Sequence, residues 1–152
     1  MNLDGIWHSR YEYGRGTNDE PQTSEHRIKF TKDGDTWVGT SLPNDEGSQV
    51  MLTLIQKGEE FSGEWKEQTS PTGYYKGREF SGLILLLANP DGTELSGMCL
   101  GAGSSANRVK ASKWTLRREN ISGSSKENFT EVVKIMANTP PVSNEELKRR
   151  KS

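Results

Sequence analysis

Apolar and polar residues alternate along most of the chain between residues 5 and 118, and clusters of turn-forming residues interrupt the alternation. A period of two places successive side chains on opposite faces of an extended strand. Many short strands separated by turn signals about every ten residues predict an all-β sandwich or barrel. The pattern predicts eight strands, at Gly5–Tyr13, Glu25–Thr31, Thr36–Leu42, Gln49–Gln56, Phe61–Thr69, Arg78–Leu87, Glu94–Gly101 and Val109–Arg118. In the first, Trp7, Ser9, Tyr11 and Tyr13 share one face, and His8, Arg10 and Glu12 the other. In the second, His26, Ile28 and Phe30 alternate with Arg27 and Lys29. In the fourth, Val50, Leu52 and Leu54 point one way. Asp33-Gly34-Asp35, Lys57-Gly58-Glu59 and Asn89-Pro90-Asp91-Gly92 read as tight turns, because glycine reaches positive φ without a steric penalty. Pro43–Gly47, Ser70–Gly73 and the glycine- and serine-rich Gly101–Asn107 read as loops.

A repeated motif favours a closed barrel over a sandwich. Phe61-Ser62-Gly63, Phe80-Ser81-Gly82 and Leu95-Ser96-Gly97 each begin a strand after a turn. A glycine two residues beyond an inward apolar side chain lets a strand bend sharply, and such kinks recur where a sheet closes on itself. The prediction is therefore an all-β, eight-stranded antiparallel up-and-down barrel over residues 1–119. The pattern changes after Arg118. Ser122–Ser125 reads as a linker. Asn128 reads as the N-cap of an α-helix with Glu131 at its third position, and Phe129, Val132, Val133 and Met136 form one apolar stripe. Pro140 and Pro141 end the helix, and Lys148-Arg149-Arg150-Lys151 makes a basic tail. Residues 120–152 are thus expected to hold a linker, a C-terminal helix and a tail. The stripe would pack on the outer wall of the barrel, bind a protein partner or plug the barrel mouth.

Composition narrows the class. With 152 residues the chain fits one domain, and its net charge of −1 argues against a broad nucleic-acid footprint. Cys99 is the sole cysteine, so no intramolecular disulfide is expected and a reducing compartment is the simplest setting. The longest apolar run, Leu83–Ala88, is far short of the ~20 residues a membrane span needs. Met1-Asn2-Leu3-Asp4 lacks the charged-then-apolar pattern of a secretory leader, which leaves a cytoplasmic location as the expectation.

Several residues carry candidate chemistry. Trp7, Ser9, Tyr11 and Tyr13 form an aromatic face that also bears hydroxyls. Pointed inward, it makes either a pocket for a small polar-aromatic ligand or a packed core whose hydroxyls find partners. The equivalent face of the fifth strand holds Trp65, Glu67 and Thr69. A buried Glu67 needs a partner. Arg10 has the wrong parity, which leaves Arg78 or Arg118; otherwise Glu67 reads a ligand or sits on a solvated rim. Tyr74 and Tyr75 follow a Pro-Gly loop and would form a lid or anchor the loop. Cys99 alternates within an apolar strand and is expected to be a buried thiol. His8 and His26 have no metal-ligand spacing with Cys99 or with a carboxylate pair, and no phosphate-cradling loop is present, so no cofactor is expected.

Gly5-Ile6-Trp7 at the start of the first strand and Arg118 at the end of the last resemble the calycin superfamily of lipocalins, fatty-acid-binding proteins and avidins. The resemblance implies that Trp7 packs at the closed end of the barrel under Arg118. Trp114, Leu116 and Arg118 share a strand face, as this requires. Haem-binding barrels of the nitrobindin type use a late histidine, and none follows His26. Two longer stretches, Leu3–Tyr13 and Trp65–Gly77, resemble the C-terminal domain that follows a helix-turn-helix domain in actinobacterial regulators of the Xre type. That resemblance covers about residues 3–118 and implies a ligand-binding or sensory module. No DNA-binding helix-turn-helix precedes Leu3, so no transcription-factor role is expected. Where that group has an aromatic Gly-x-Trp-x-Gly-Phe-Gly stretch, this chain reads Gly97-Met98-Cys99-Leu100-Gly101-Ala102-Gly103, whose smaller residues would widen a pocket.

Three functions follow. The first is a small-molecule-binding barrel, sensory or carrier, with Trp7, Ser9, Tyr11, Tyr13, Trp65, Glu67, Tyr75 and Trp114 around the ligand. The second is a barrel enzyme, since Tyr11-Glu12-Tyr13 resembles the Tyr-x-Tyr pair that grips a carboxylate in phenolic acid decarboxylases, with Glu67 as the acid. The third is a filled barrel that binds a protein through the C-terminal helix. Neither a nucleic acid nor a membrane is expected as a partner.

Overall fold

In the computed structural model, residues 1–15, 20–102 and 108–119 are described. Eight strands form a closed barrel in which each strand pairs antiparallel with the next. They are β1 (Gly5–Arg15), β2 (Glu20–Asp33), β3 (Thr36–Ser41), β4 (Gln49–Lys57), β5 (Glu60–Gln68), β6 (Glu79–Ala88), β7 (Glu94–Ala102) and β8 (Val109–Arg118). The ladder from Trp7↔Arg118 to Tyr11↔Trp114 joins β8 to β1 and closes the wall. This up-and-down architecture is consistent with a calycin-like fold. The helix, linker and basic tail expected beyond residue 119 lie outside the described residues.

The predicted parity holds around the barrel. Trp7, Ser9 and Tyr11 of β1, His26, Ile28 and Phe30 of β2, and Val50, Leu52 and Leu54 of β4 are all buried. On β6 the apolar run splits by alternation: Ile84 and Leu86 point in, whereas Leu83, Leu85 and Leu87 are exposed. The largest difference from the sequence reading is at β2, which starts at Glu20 rather than Glu25. Pro21 and its polar neighbours mimic a loop. In the structure Pro21 pairs with Gly14, and β3 joins β2 only from Ile28 onward. Pro21 thus lies where β2 has a neighbour on one side, and such an edge tolerates a residue with no N–H to donate.

The recurring glycines sit at the corners of the barrel. Gly63, Gly82 and Gly97 each occupy an inward position where the neighbouring strand crosses so closely that a Cβ would fall on a backbone carbonyl oxygen, of Thr53, Leu100 and Leu85 respectively. No side chain fits there, so the Phe-Ser-Gly and Leu-Ser-Gly motifs are requirements of sheet closure. Turn geometry agrees with the sequence at Gly34, Gly58 and Gly92, whose φ angles are 62°, 61° and 69°.

Candidate functional site

The two ends of the barrel differ in chemistry. At one end, Trp7, Phe30, Phe61, Leu54, Leu86, Leu95 and Leu116 pack to full burial, and Leu3 of the N-terminal segment packs against them. Trp7 meets Phe30 edge-on at 6.2 Å, and its Nε1 donates to the Leu3 carbonyl at 2.9 Å. The Arg118 guanidinium lies 4.4 Å from the Trp7 ring centroid and donates to the carbonyls of Asp4 at 2.8 Å and Asn2 at 2.6 Å. A planar cation stacked on an indole while its edges hold a crossing segment forms a floor.

The other end is hollow. A cavity of about 180 Å³ opens between the barrel interior, the β3–β4 loop and the β5–β6 loop. Tyr11 and Tyr13 of β1, Trp65 and Glu67 of β5, Tyr75 of the β5–β6 loop, Phe80 of β6 and Trp114 of β8 line it. The rings form a connected set. Tyr11 stacks on Trp114 at 4.3 Å, Trp114 meets Trp65 at 6.0 Å, and Tyr75 meets Phe80 at 5.1 Å and Tyr13 at 6.4 Å.

Polar contacts hold these rings in place. Trp114 Nε1 donates to Ser9 Oγ at 2.8 Å, and Trp65 Nε1 donates to the Leu100 carbonyl at 3.1 Å. Gly101 leaves room for the Trp65 ring, since a Cβ there would come within 2.6 Å of it. His26 stacks parallel to Tyr11 at 6.1 Å, and its Nε2 lies 2.8 Å from Ser48 Oγ. The Tyr11 hydroxyl donates to Glu67 Oε2 across the barrel. Burial pushes the Glu67 carboxyl above the usual carboxylate range, and the Tyr11 hydroxyl pulls it part of the way back. Burial and the facing carboxylate push the Tyr11 phenol well above its ordinary value. The Cys99 thiol, also on the cavity wall, is raised by burial. Both shifts hold the phenol and the thiol in neutral form, which suits binding better than nucleophilic attack.

Of the residues singled out from sequence, Tyr11, Tyr13, Trp65, Glu67, Tyr75 and Trp114 meet around one space. Trp7 and Ser9 share their face but not their level. Trp7 belongs to the floor, and Ser9 is fully buried beneath Trp114. The partner of Glu67 is Tyr11, and neither arginine considered for that role fills it. Arg78 lies 5.1 Å over the Phe80 ring, and Arg118 is at the floor. Arg10 is exposed on the outer wall, as its parity requires. Tyr74 is exposed at the cavity edge, whereas Tyr75 is half-buried against Phe80.

Sequence reasoning missed Ser24, Phe80, Lys110 and Ser112, which also line the cavity. Lys110 and Ser112 share the parity of Trp114, and Phe80 opens one of the glycine motifs, so a signal for these existed. Ser24 was hidden because β2 starts five residues earlier than its pattern indicates. Among the described residues, no cluster of three or more His, Cys, Asp or Glu side chains is placed to hold a metal ion. No protein-family model matches the chain, and no curated protein matches it.

Proposed function

We propose that this protein is a small-molecule-binding barrel, a sensory or carrier module, whose ligand occupies the cavity at the open end. One observation carries the reading. A barrel with a tightly packed floor leaves a cavity at the other end, walled by aromatic rings and containing, among the described residues, a part-buried carboxyl–phenol pair. Binding sites concentrate apolar walls around a few convergent polar groups, and this cavity has that composition. Its two indoles, Trp114 and Trp65, are held by hydrogen bonds to Ser9 and the Leu100 carbonyl, so that part of the wall is formed before a ligand arrives. Preformed shape lowers the ordering cost of binding. The resemblance of the sequence to calycins, and to the C-terminal domains of Xre-type regulators with the ligand-binding or sensory role it implies, supports the same reading.

The size of the cavity limits the ligand. An apolar cavity of ~150 Å³ accommodates benzene, so about 180 Å³ suits one ring with a short arm rather than a lipid. Native mass spectrometry of the protein purified from its own host, followed by denaturation, tests the proposal. A stoichiometric adduct released on unfolding, and lost in Trp65→Ala, is the expected result. A bare mass, together with unchanged tryptophan emission across a library of one-ring compounds, would overturn it.

A further inference from the structure

The identity of the wall points to a charge on the ligand. We infer that the cavity takes a small organic cation, an amine or quaternary ammonium bearing at most one ring, with Glu67 as its counter-charge. This rests on the binding reading above and goes further by naming the ligand class.

Three observations converge. The first is the charge of the cavity itself. Glu67 is the carboxyl that projects inward; the other acidic lining residues, Glu12 and Glu46, are exposed at the rim, and among the described residues Lys110 is the lining cation. An anionic group brought into the cavity would lie against Glu67, where water screens less than at the rim.

The second is the environment of Glu67. Its hydrogen bond comes from the neutral Tyr11 hydroxyl, and burial is the largest influence on its proton affinity, with no cation among the causes. Its ladder neighbours are Val50 and Phe80, both without charge. A carboxylate taken from water with one neutral hydrogen bond is under-compensated, and an entering cation supplies the missing charge.

The third is the wall chemistry. Tyr11, Trp114 and Trp65 are consecutive contacts of an aromatic set that continues from Tyr11 through Tyr13 to Tyr75 and Phe80. Ring faces carry negative electrostatic potential, so aromatic walls around a carboxylate attract an alkylammonium group. A neutral ring would gain the stacking but leave Glu67 as it is.

Three probes of matched shape separate these possibilities: benzylamine as cation, benzyl alcohol as neutral and benzoate as anion. Each is titrated into the full chain, with emission from Trp65 and Trp114 as the signal and calorimetry as confirmation. Benzylamine is expected to bind about tenfold more tightly than benzyl alcohol, and benzoate most weakly. In Glu67→Gln the preference for benzylamine over benzyl alcohol should collapse toward unity while benzyl alcohol still binds. If Glu67→Gln fails to fold, Glu67→Asp serves instead, because a carboxylate drawn back by one methylene should reduce the preference without abolishing it. Benzyl alcohol or benzoate binding as well as benzylamine would overturn the cation proposal and leave the binding reading standing. Failure of all three probes would also overturn it, whereas the binding reading itself falls only with a bare mass together with unchanged emission across the wider one-ring library.

Discussion

Placing a methyl group on the glycines at the barrel corners should cost far more than placing one on the glycines of the turns. Gly63→Ala is the sharpest case. A Cβ at Gly63 would fall on the Thr53 carbonyl oxygen, 2.9 Å from its carbonyl carbon and 3.2 Å from Leu54 Cα. All three atoms are backbone, so no side chain can rotate away, and relief requires β4 and β5 to part. The pairs Thr53↔Glu64 and Leu54↔Gly63 lie at that point. Overpacking of about 1–3 kcal/mol, plus two weakened ladder hydrogen bonds at about 1 kcal/mol each, gives about 3–5 kcal/mol. Gly58→Ala meets nothing within 4 Å and is disfavoured only by its φ of 61°. Left-handed backbone costs a residue with a Cβ about 1–2 kcal/mol. Urea unfolding followed by tryptophan emission resolves the two. With m near ~2 kcal/mol/M, the midpoint should fall by about 2 M in Gly63→Ala and about 0.7 M in Gly58→Ala. A loss in Gly63→Ala no greater than in Gly58→Ala would refute the view that close strand crossing, rather than backbone freedom, selects glycine at these corners.

Two further predictions concern the opposite ends of the barrel. Arg118→Ala removes the guanidinium from the Trp7 ring and from the carbonyls of Asn2 and Asp4. Discounted for partial exposure, this should cost about 2 kcal/mol, a fall in Tm of about 4–8 °C by calorimetry, and Arg118→Lys should recover only part of it; an unchanged Tm would mean that the floor is sealed without Arg118. Glu67→Gln should stabilise the ligand-free protein in a pH-dependent way. The folded-state carboxyl is raised above its ordinary value, so as pH climbs past 4.5 the unfolded chain releases a proton that the folded chain still holds, and the wild type loses stability until the folded group also ionises. Denaturation curves of the two proteins should therefore converge below the ordinary carboxylate pKa and diverge toward neutrality with the variant more stable; the opposite divergence would show that Glu67 is better compensated than its contacts indicate.

Periodicity made the walls of this barrel legible and left the height of each residue along its axis obscure. Alternation reveals which face a side chain takes, so the inward set Trp7, Ser9, Tyr11 and Tyr13 could be read directly. It does not reveal that Trp7 lies at a packed floor and Tyr13 beside a cavity, because that depends on the register that closes β8 onto β1. The partner of Glu67 was illegible for a related reason. A search by charge leads to arginine, whereas the partner is a phenol 56 residues away in sequence, brought opposite only when the barrel closes. The glycine motifs were legible because their cause is local to a ladder. The start of β2 was not, because Pro21 is a loop signal except where a strand has one neighbour.

Trp114 marks the boundary between the two halves. Its indole N–H reaches down to Ser9, which is fully buried, while its ring face lies under Tyr11 at the cavity. Removing it would leave the Ser9 hydroxyl without its donor and also collapse the cavity wall, so its loss would confound stability with binding. Glu67 stands differently. It projects into the cavity from a strand whose core contacts are supplied by Phe61 and Trp65, and burial raises its proton affinity. That asymmetry makes Glu67, rather than the larger and more deeply buried rings, the position at which binding and folding can be separated by a single substitution.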